Sequence, residues 1–228
     1  MVALTLQIDA LDPGRLGRYW SELLGLPLEP DPRGPLIVGD DRRPGLRFTA
    51  TITEPTVPNP IHLHLTSAEP ADQDKTVERA VVLGGRPVRV GPLPEDNHVV
   101  ADPEGNEFCV IEAGNAYLAG TGFLGEFACD GTRAVGLFWR DVMGWPLVWD
   151  RGEETAIQSP AGGTKVAWGG PPLRPRDGRP RQRFELRVTD PTEVDRLVAL
   201  GATRLRDDDG AVVLADPDGN EFILRGAS

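Results

Sequence analysis

The stretch Arg18–Asp31, RYWSELLGLPLEPD, recurs later in the chain as Leu137–Asp150, LFWRDVMGWPLVWD. A second pair of stretches follows in the same order: Ala101–Phe108, ADPEGNEF, and Ala215–Phe222, ADPDGNEF. Two blocks that repeat in one order indicate a tandem duplication. We therefore interpret the 228 residues as two copies of one domain, 1–115 and 121–228, joined by a short glycine-rich linker.

Each copy divides again into two units with the same order of elements. In Leu4–Ala10 apolar and polar residues alternate, which predicts a half-buried strand. Apolar residues then follow at helical spacing from Pro13 to Gly25, and further short strands with glycine-containing turns come after the helix. We predict an α+β fold of two tandem domains, each made of two βαβββ modules that form a curved mixed sheet around a cleft.

Composition limits the partners of this protein. Charged residues make up 26% of the chain and hydrophobic residues 39%, as in ordinary soluble domains. A net charge of −11 disfavours nucleic acid and anionic membranes, because no basic field attracts phosphates. The first residues carry no export signal. We therefore expect a cytoplasmic protein in which Cys109 and Cys129 are buried, reduced thiols.

The tryptophan-containing helix that ends in Leu-Gly and the ADPxGNEF hairpin resemble the vicinal oxygen chelate superfamily. That superfamily includes glyoxalases, bleomycin-resistance proteins and extradiol dioxygenases, and the resemblance covers nearly the whole chain. It implies paired modules around a small-molecule cleft, but it specifies function poorly, because one fold carries many activities. It also implies a monomer whose two copies pack as a pseudo-dimer, or else a homodimer.

The resemblance further implies metal ligands on the first and last strands of the modules. Of the mapped positions, only His62 has the expected residue type. The others that map to single residues are Thr5, Cys109, Leu124, Arg183 and Ile223. Metal sites of this kind need three or four converging donors. We therefore expect neither a metal nor another cofactor, and we assign no catalytic residue.

Polar residues on the inner faces of the strands are the candidates for ligand binding. His62 and His64 share one strand face, because side chains alternate along a strand. By the family geometry they line one cup with polar residues of two other strands. The predicted ligand-binding residues are Gln7, Asp9, His62, His64, Glu107 and Cys109. A hydrated sheet face without a specific ligand is the alternative, and a metal site at the histidine pair is a further one.

The second copy carries charges of both signs on the corresponding face. Arg183, Glu185 and Arg225 are among them, and they favour cross-strand ion pairs that fill the cup. Three function hypotheses remain. The first is a glyoxalase- or bleomycin-resistance-like protein that binds a small molecule without a metal. The second is a metal-independent or divalent-metal lyase or isomerase that uses His62, and the third is a scaffold without a small ligand.

Overall fold

A computed structural model gives the structure of residues 3–53, 58–88, 98–173, 180–190, 192–208 and 210–226. Within them, four helices alternate with groups of strands. In chain order the elements are β1 Ala3–Ala10, α1 Pro13–Leu24, β2 Leu36–Ile37, β3 Gly45–Ala50, β4 Ile61–Leu65, α2 Pro70–Val82, β5 Arg86–Val88, β6 His98–Ala101, β7 Glu107–Val110, β8 Leu124–Cys129, α3 Arg133–Met143, β9 Leu147–Arg151, β10 Glu154–Gln158, β11 Lys165–Trp168, β12 Gln182–Val188, α4 Glu193–Ala199, β13 Thr203–Asp208, β14 Ala211–Ala215 and β15 Glu221–Gly226.

The strands form two mixed sheets, and each sheet takes one module from each copy. The first sheet has the order β13-β14-β15-β12-β1-β3-β2, and the second has the order β5-β6-β7-β4-β8-β11-β10-β9. β1 pairs antiparallel with β12, and β4 pairs antiparallel with β8. The α+β class, with two tandem copies and two mixed sheets, is confirmed. The structure adds that the modules of one copy lie in different sheets.

The first module departs slightly from the predicted βαβββ order. Its second strand, the first after the helix, is reduced to an isolated bridge between Glu29 and Leu36. The segment between α1 and β2 contains Pro27, Pro30 and Pro32, and proline has no N–H to donate to a ladder. In the third module the corresponding segment has no proline at the positions of Pro30 and Pro32, and it forms the full strand β9.

The core lies between the helices and the outer faces of the sheets. Helix α1 is capped at its start by Asp12, whose side chain accepts a hydrogen bond from the Arg15 N–H, and at its end by Gly25 in the left-handed conformation. Trp20 and Trp139 are 1% and 2% exposed and anchor α1 and α3 in this core, as their spacing predicts. In the part of the chain that the structure describes, no helix is long and apolar enough to cross a membrane.

The two repeated sequence blocks contact each other within each copy. The indole N–H of Trp20 donates to Asp102 Oδ2 at 3.1 Å, and that of Trp139 approaches Asp216 Oδ2 at 3.5 Å. Each contact joins a helix that covers one sheet to a hairpin of the other sheet. The blocks therefore recur because they hold the two sheets of the molecule together.

Candidate functional site

The structure does not bring the six predicted ligand-binding residues together. Gln7 and Asp9 lie on β1 in the first sheet, whereas the other four lie on β4 and β7 in the second sheet. The prediction that these strands line one cup is therefore wrong. It assumed that β1 and β4, which belong to the same copy, share a sheet. In the structure their partners come from the other copy, β12 for β1 and β8 for β4.

Ion pairs fill the inner face of the first sheet, the face that points away from the helices. Both carboxylate oxygens of Asp9 accept from Arg183 Nη2, at 2.5 and 2.6 Å, and Gln7 donates to the same carboxylate at 3.2 Å. The buried Glu185 has arginine partners at 2.5 to 3.9 Å, and they are Arg33, Arg47 and Arg225. This confirms the expectation of cross-strand ion pairs. The side chains of Gln7 and Asp9 take part in these hydrogen bonds, so few of their polar atoms remain to bind a ligand.

Small side chains form the floor of the inner face of the second sheet. The strand registers place Ala128 next to His62, Ala167 next to Ala128, and Ala156 next to Ala167, while Trp149 follows on the edge strand β9. Three alanines in a row across the sheet leave space above them, and His62 and Trp149 stand at the two ends. We call this space the second-sheet cup.

A polar row runs beside the alanine floor. The registers place Cys109, His64, Glu126 and Lys165 next to one another on β7, β4, β8 and β11. His64 Nδ1 lies 2.9 Å from Glu126 Oε2. Burial lowers the pKa of His64, but hydrogen bonds to Cys109 and Glu126 and the charges of both groups raise it, and the result is about 9. His64 is therefore a cation at neutral pH.

The linker between the copies contributes an aromatic wall to the cup. The hydroxyl of Tyr117 donates to Glu126 Oε1 at 2.5 Å, and its ring meets Trp149 edge-on with centroids 5.4 Å apart. Lys165 Nζ donates to the carbonyl of Tyr117 and lies 3.9 Å from the centre of its ring. Burial lowers the pKa of Lys165, and the nearby Glu126 partly opposes this. The linker is thus an ordered part of the cup.

A cavity of about 410 Å³ occupies the second-sheet cup. The walls and floor come from both copies of the domain. The lining residues are Pro60, His62, Tyr117, Glu126, Ala128, Cys129, Asp130, Trp149, Glu154, Thr155, Ala167, Trp168 and Gly169. Of the six predicted residues, His62 lines the cavity, His64 and Cys109 belong to the adjacent polar row, and Glu107 lies further along β7.

The donor groups in the cup do not form a metal site. Across the described ranges of the chain, no three His, Cys, Asp or Glu side chains are grouped so that they could hold a metal ion. His64 and Glu126 are instead bonded to each other, and Lys165 places an ammonium group beside them. A cation at this position disfavours a metal ion nearby by direct repulsion.

Sequence reasoning missed several residues of the cup. Tyr117 lies in the stretch predicted to be a glycine-rich linker, GNAYLAGTG, and is its only aromatic residue. Glu126 lies on a strand of the second copy, for which the sequence predicts ion pairs rather than a ligand. The small residues Ala128 and Ala167 carried a signal in the sequence, because each follows a charged residue by two positions on a predicted strand. Residues two positions apart on a strand project from the same face of the sheet, so the small alanine leaves space beside the charged side chain.

Comparisons with known proteins agree with this architecture. A family model described as a glyoxalase-like domain matches residues 5–111 and 126–225, once in each copy. Among solved structures, glyoxalase I from Zea mays has a TM-score of 0.64 at 15% identity, covering 98% of this chain and 92% of that chain. A proposed dioxygenase from Bacillus subtilis has a TM-score of 0.57 at 15% identity, covering 97% and 84%. At a sequence identity of 15%, the similarity to these structures concerns the fold alone. A comparison with the curated proteins gives no match. Since the two family matches span most of both copies, the chain belongs to the glyoxalase-like domain family, within the vicinal oxygen chelate superfamily.

Proposed function

We propose that this protein binds a small, flat molecule with an amine or amidine group in the second-sheet cup, without a metal. One observation carries the proposal: the cavity combines an alanine floor, an aromatic wall and a carboxylate, Glu154, that has no side-chain hydrogen bond or ion pair with any residue that the structure describes. The ligand lies over Ala128 and Ala167, beside Trp149 and Tyr117, and directs its cationic group to Glu154.

Shape supports a flat ligand. Pockets for small molecules are concave, mostly apolar and about 300–1,000 Å³ in volume, and this cavity of about 410 Å³ suits a compact molecule. The alanine side chains give a flat base, and the ring of Trp149 stands at its edge. The guanidinium carbon of Arg151 lies 4.4 Å from the centre of that ring, so the indole already attracts one cation.

Charge supports a cationic group. The lining includes the carboxylates of Glu126, Asp130 and Glu154, and among the described residues that line the cavity none is a lysine or an arginine. Glu126 is already bonded to His64 and Tyr117. Glu154, by contrast, makes no side-chain hydrogen bond or ion pair with any described residue. An ammonium or amidinium group at this position would gain a charge-assisted hydrogen bond.

Two larger open grooves, each of about 650 Å³, are less suitable. One lies between α2 and the linker, where Lys75 and Arg79 are already paired with Asp72 and Glu22. The other lies at the end of the first sheet, and no aromatic side chain lines it within the described ranges. The smaller cavity is preferred because its described lining residues combine aromatic side chains with carboxylates and include no lysine or arginine.

Isothermal titration with two probes of similar size and opposite charge tests the proposal. Benzamidinium is expected to bind the full chain, and benzoate is not. Glu154→Gln is expected to weaken benzamidinium binding about three- to tenfold, as for one exposed charge-assisted contact. Glu153→Gln is the matched control, since this neighbouring residue does not line the cavity. Equal binding of both probes, or equal effects of both variants, would refute the proposed charge selectivity.

A variant that fills the second-sheet cup tests whether benzamidinium binds there. Ala167→Leu fills the floor of the cup, and it is expected to abolish benzamidinium binding while the fold is retained. Ala119→Leu adds the same bulk in the groove beside the linker and is expected to bind like the wild type. Loss of binding in Ala119→Leu alone would move the site out of the cup.

The alternative function, a lyase or isomerase that uses His62, has one observation in its favour: His62 lines the same cavity. A general acid or base must first lie within reach of the bound molecule, and His62 meets that condition for a ligand on the alanine floor. Mass spectrometry of ligands recovered after incubation separates the two functions. A binding protein returns its ligand unchanged, whereas an enzyme returns a product that disappears in His62→Ala.

A further inference from the structure

The hairpin that joins β9 to β10 carries two opposite charges at the edge of the second-sheet cup. Arg151 on β9 is paired with Glu154 on β10. The turn between them consists of Gly152 and Glu153. Side chains of directly paired residues project from the same face of a sheet. Trp149 lies two residues before Arg151 and lines the cavity, so both charged side chains lie on the inner face with the indole.

The two opposite charges do not contact each other. Among the residues that the structure describes, neither Arg151 nor Glu154 makes a side-chain hydrogen bond or an ion pair. The guanidinium carbon of Arg151 lies 4.4 Å from the ring centre of Trp149, and Glu154 lines the cavity. Opposite charges at directly paired positions stabilise a strand pair when they contact each other. Here that contact is absent between the two described residues, and each charge lies beside the cavity.

The carboxylates that neighbour Arg151 in the chain do not neutralise it. Asp150 projects from the other face of β9, where its oxygens accept from Arg133 at 2.7 and 2.8 Å. Glu153 lies in the turn and does not line the cavity. Arg151 is therefore a cation that contacts an aromatic ring rather than a carboxylate among the described residues. Such a contact uses none of the N–H donors of the guanidinium, so they are available to a ligand.

The polar row beside the cup differs from the hairpin, because its charged groups already have partners. Glu126 contacts His64 and the hydroxyl of Tyr117, and Lys165 Nζ donates to the carbonyl of Tyr117. Cys109, at the end of this row, is half-buried, so the expectation that both thiols are buried is wrong for this residue. Cys109 does not line the cavity. The hairpin is therefore where a ligand in the cup meets charges of both signs without a partner in the described ranges.

We infer that the ligand of the cup is a zwitterion with adjacent ammonium and carboxylate groups, as in an α-amino acid with a flat side chain. This inference rests on the proposed binding in the cup and names the class of ligand. The ammonium group donates to Glu154, and the carboxylate accepts from Arg151. Both charges belong to one end of the ligand, because Cα atoms of directly opposed residues lie about 5 Å apart. The flat side chain lies on the alanine floor.

The charge of the cavity explains why the ligand needs both groups. The lining carboxylates of Glu126, Asp130 and Glu154 repel an anion, so Arg151 does not attract a simple carboxylate into the cup. In a zwitterion, the ammonium group offsets this repulsion. The adjacent carboxylate then adds a charge-assisted contact with the guanidinium, which a simple amine lacks.

Isothermal titration of the full chain with three probes of one size tests the inference. Phenethylamine carries the ammonium group, 3-phenylpropanoate carries the carboxylate, and phenylalanine carries both on one carbon. Phenylalanine is expected to bind about three- to tenfold more tightly than phenethylamine, as for one further exposed charge-assisted contact. No binding of 3-phenylpropanoate is expected. Equal binding of phenylalanine and phenethylamine would refute the inference and leave the proposed amine binding intact. If no amine probe binds, benzamidinium included, the proposed function fails together with the inference.

Variants identify the group that recognises the carboxylate. The side chain of Arg151 is exposed, so Arg151→Gln is expected to fold. This variant is expected to bind phenylalanine no more tightly than phenethylamine, while its binding of phenethylamine is not weakened. Arg133→Gln is the control, because it removes the same charge from the other face of β9 and is expected to keep the preference for phenylalanine. A preference for phenylalanine that persists in Arg151→Gln, or that is lost equally in Arg133→Gln, would refute the role of Arg151.

Discussion

At the scale of single residues, Asp102 and Asp216 show why the ADPxGNEF block repeats. Oδ1 of Asp102 accepts from the backbone N–H groups of Glu104 and Asn106, and Oδ2 accepts from the Asn106 amide and from Trp20. Asp216 has the corresponding contacts in the second copy. The sequence predicted a turn at this block. It did not show that the carboxylate also reaches a helix of the other layer, because that contact joins residues 82 positions apart.

His64 links stability to pH, and this prediction concerns the residue itself. Its pKa of about 9 lies above the ordinary value of about 6.5, so between these values the folded state holds a proton that the unfolded state has released. The associated stabilisation is complete below about pH 6.5 and is lost as the pH rises towards 9. We expect the free energy of unfolding of the wild type to fall by on the order of 2 kcal/mol across this window, relative to His64→Gln.

Urea unfolding at several pH values measures this difference. His98→Gln should follow the wild-type curve, because its side chain is exposed and lies 3.9 Å from its nearest carboxylate. If the free energies of unfolding of the wild type and of His64→Gln changed in parallel with pH, the ion pair between His64 and Glu126 would not stabilise the fold.

At the scale of elements, helices α1 and α3 occupy corresponding positions but pack differently. Each has a glycine at the same place in the repeat, Gly17 and Gly136. An added Cβ at Gly136 would lie 1.8 Å from Thr155 Oγ1 and 2.7 Å from its Cβ, so α3 and β10 could not keep their present distance. At Gly17 the nearest atoms belong to Leu28 and Phe48, at 3.2 Å, and they need to move only slightly.

The same substitution should therefore have different effects at the two sites. Alanine favours a helix over glycine by about 1 kcal/mol, so Gly17→Ala is expected to stay within about 1 kcal/mol of the wild type. Gly136→Ala is expected to lower the free energy of unfolding by about 2 kcal/mol, because the helix and the strand must separate. Thermal and urea unfolding of both variants provide the comparison. Equal effects at the two glycines would contradict the close packing of α3 on β10.

The elements themselves could be predicted from the sequence, since their signals are local. Alternation in Leu4–Ala10 and the left-handed Gly25 each depend on a few neighbouring residues. The pairing of β4 with β8 could not be predicted in this way, because it joins distant parts of the chain. Alternation marks a strand and its two faces, but it does not identify the strand that pairs with it. The composition of the cup was missed for this reason.

At the scale of the whole molecule, the two copies depend on each other. Each sheet joins a module of one copy to a module of the other, and the Ile61 N–H donates across the sheets to Gln182 Oε1 at 3.2 Å. The rings of Phe127 and Phe184 stack with centroids 6.3 Å apart. Because this pairing is internal, we expect the full chain to be monomeric, with the two copies forming a pseudo-dimer.

Separated copies should not fold as monomers. Fragments 1–115 and 121–228 would expose the edges of β1, β4, β8 and β12 together with apolar core, so each is expected to self-associate or unfold. Mixing the two should restore a one-to-one complex with the native far-ultraviolet circular dichroism. Light scattering with chemical unfolding provides the measurement. A monomeric 1–115 that unfolds cooperatively would show that the copy, rather than the module pair, is the folding unit.

The second-sheet cup as a metal-free site for a flat cation is the central claim, and a crystal structure of the full chain soaked with benzamidinium tests it most directly. We expect one molecule on the alanine floor beside Trp149, with its amidinium within hydrogen-bond distance of Glu154. Benzamidinium bound instead at the first sheet or in either open groove would contradict the claim, as would an empty cup at a saturating concentration.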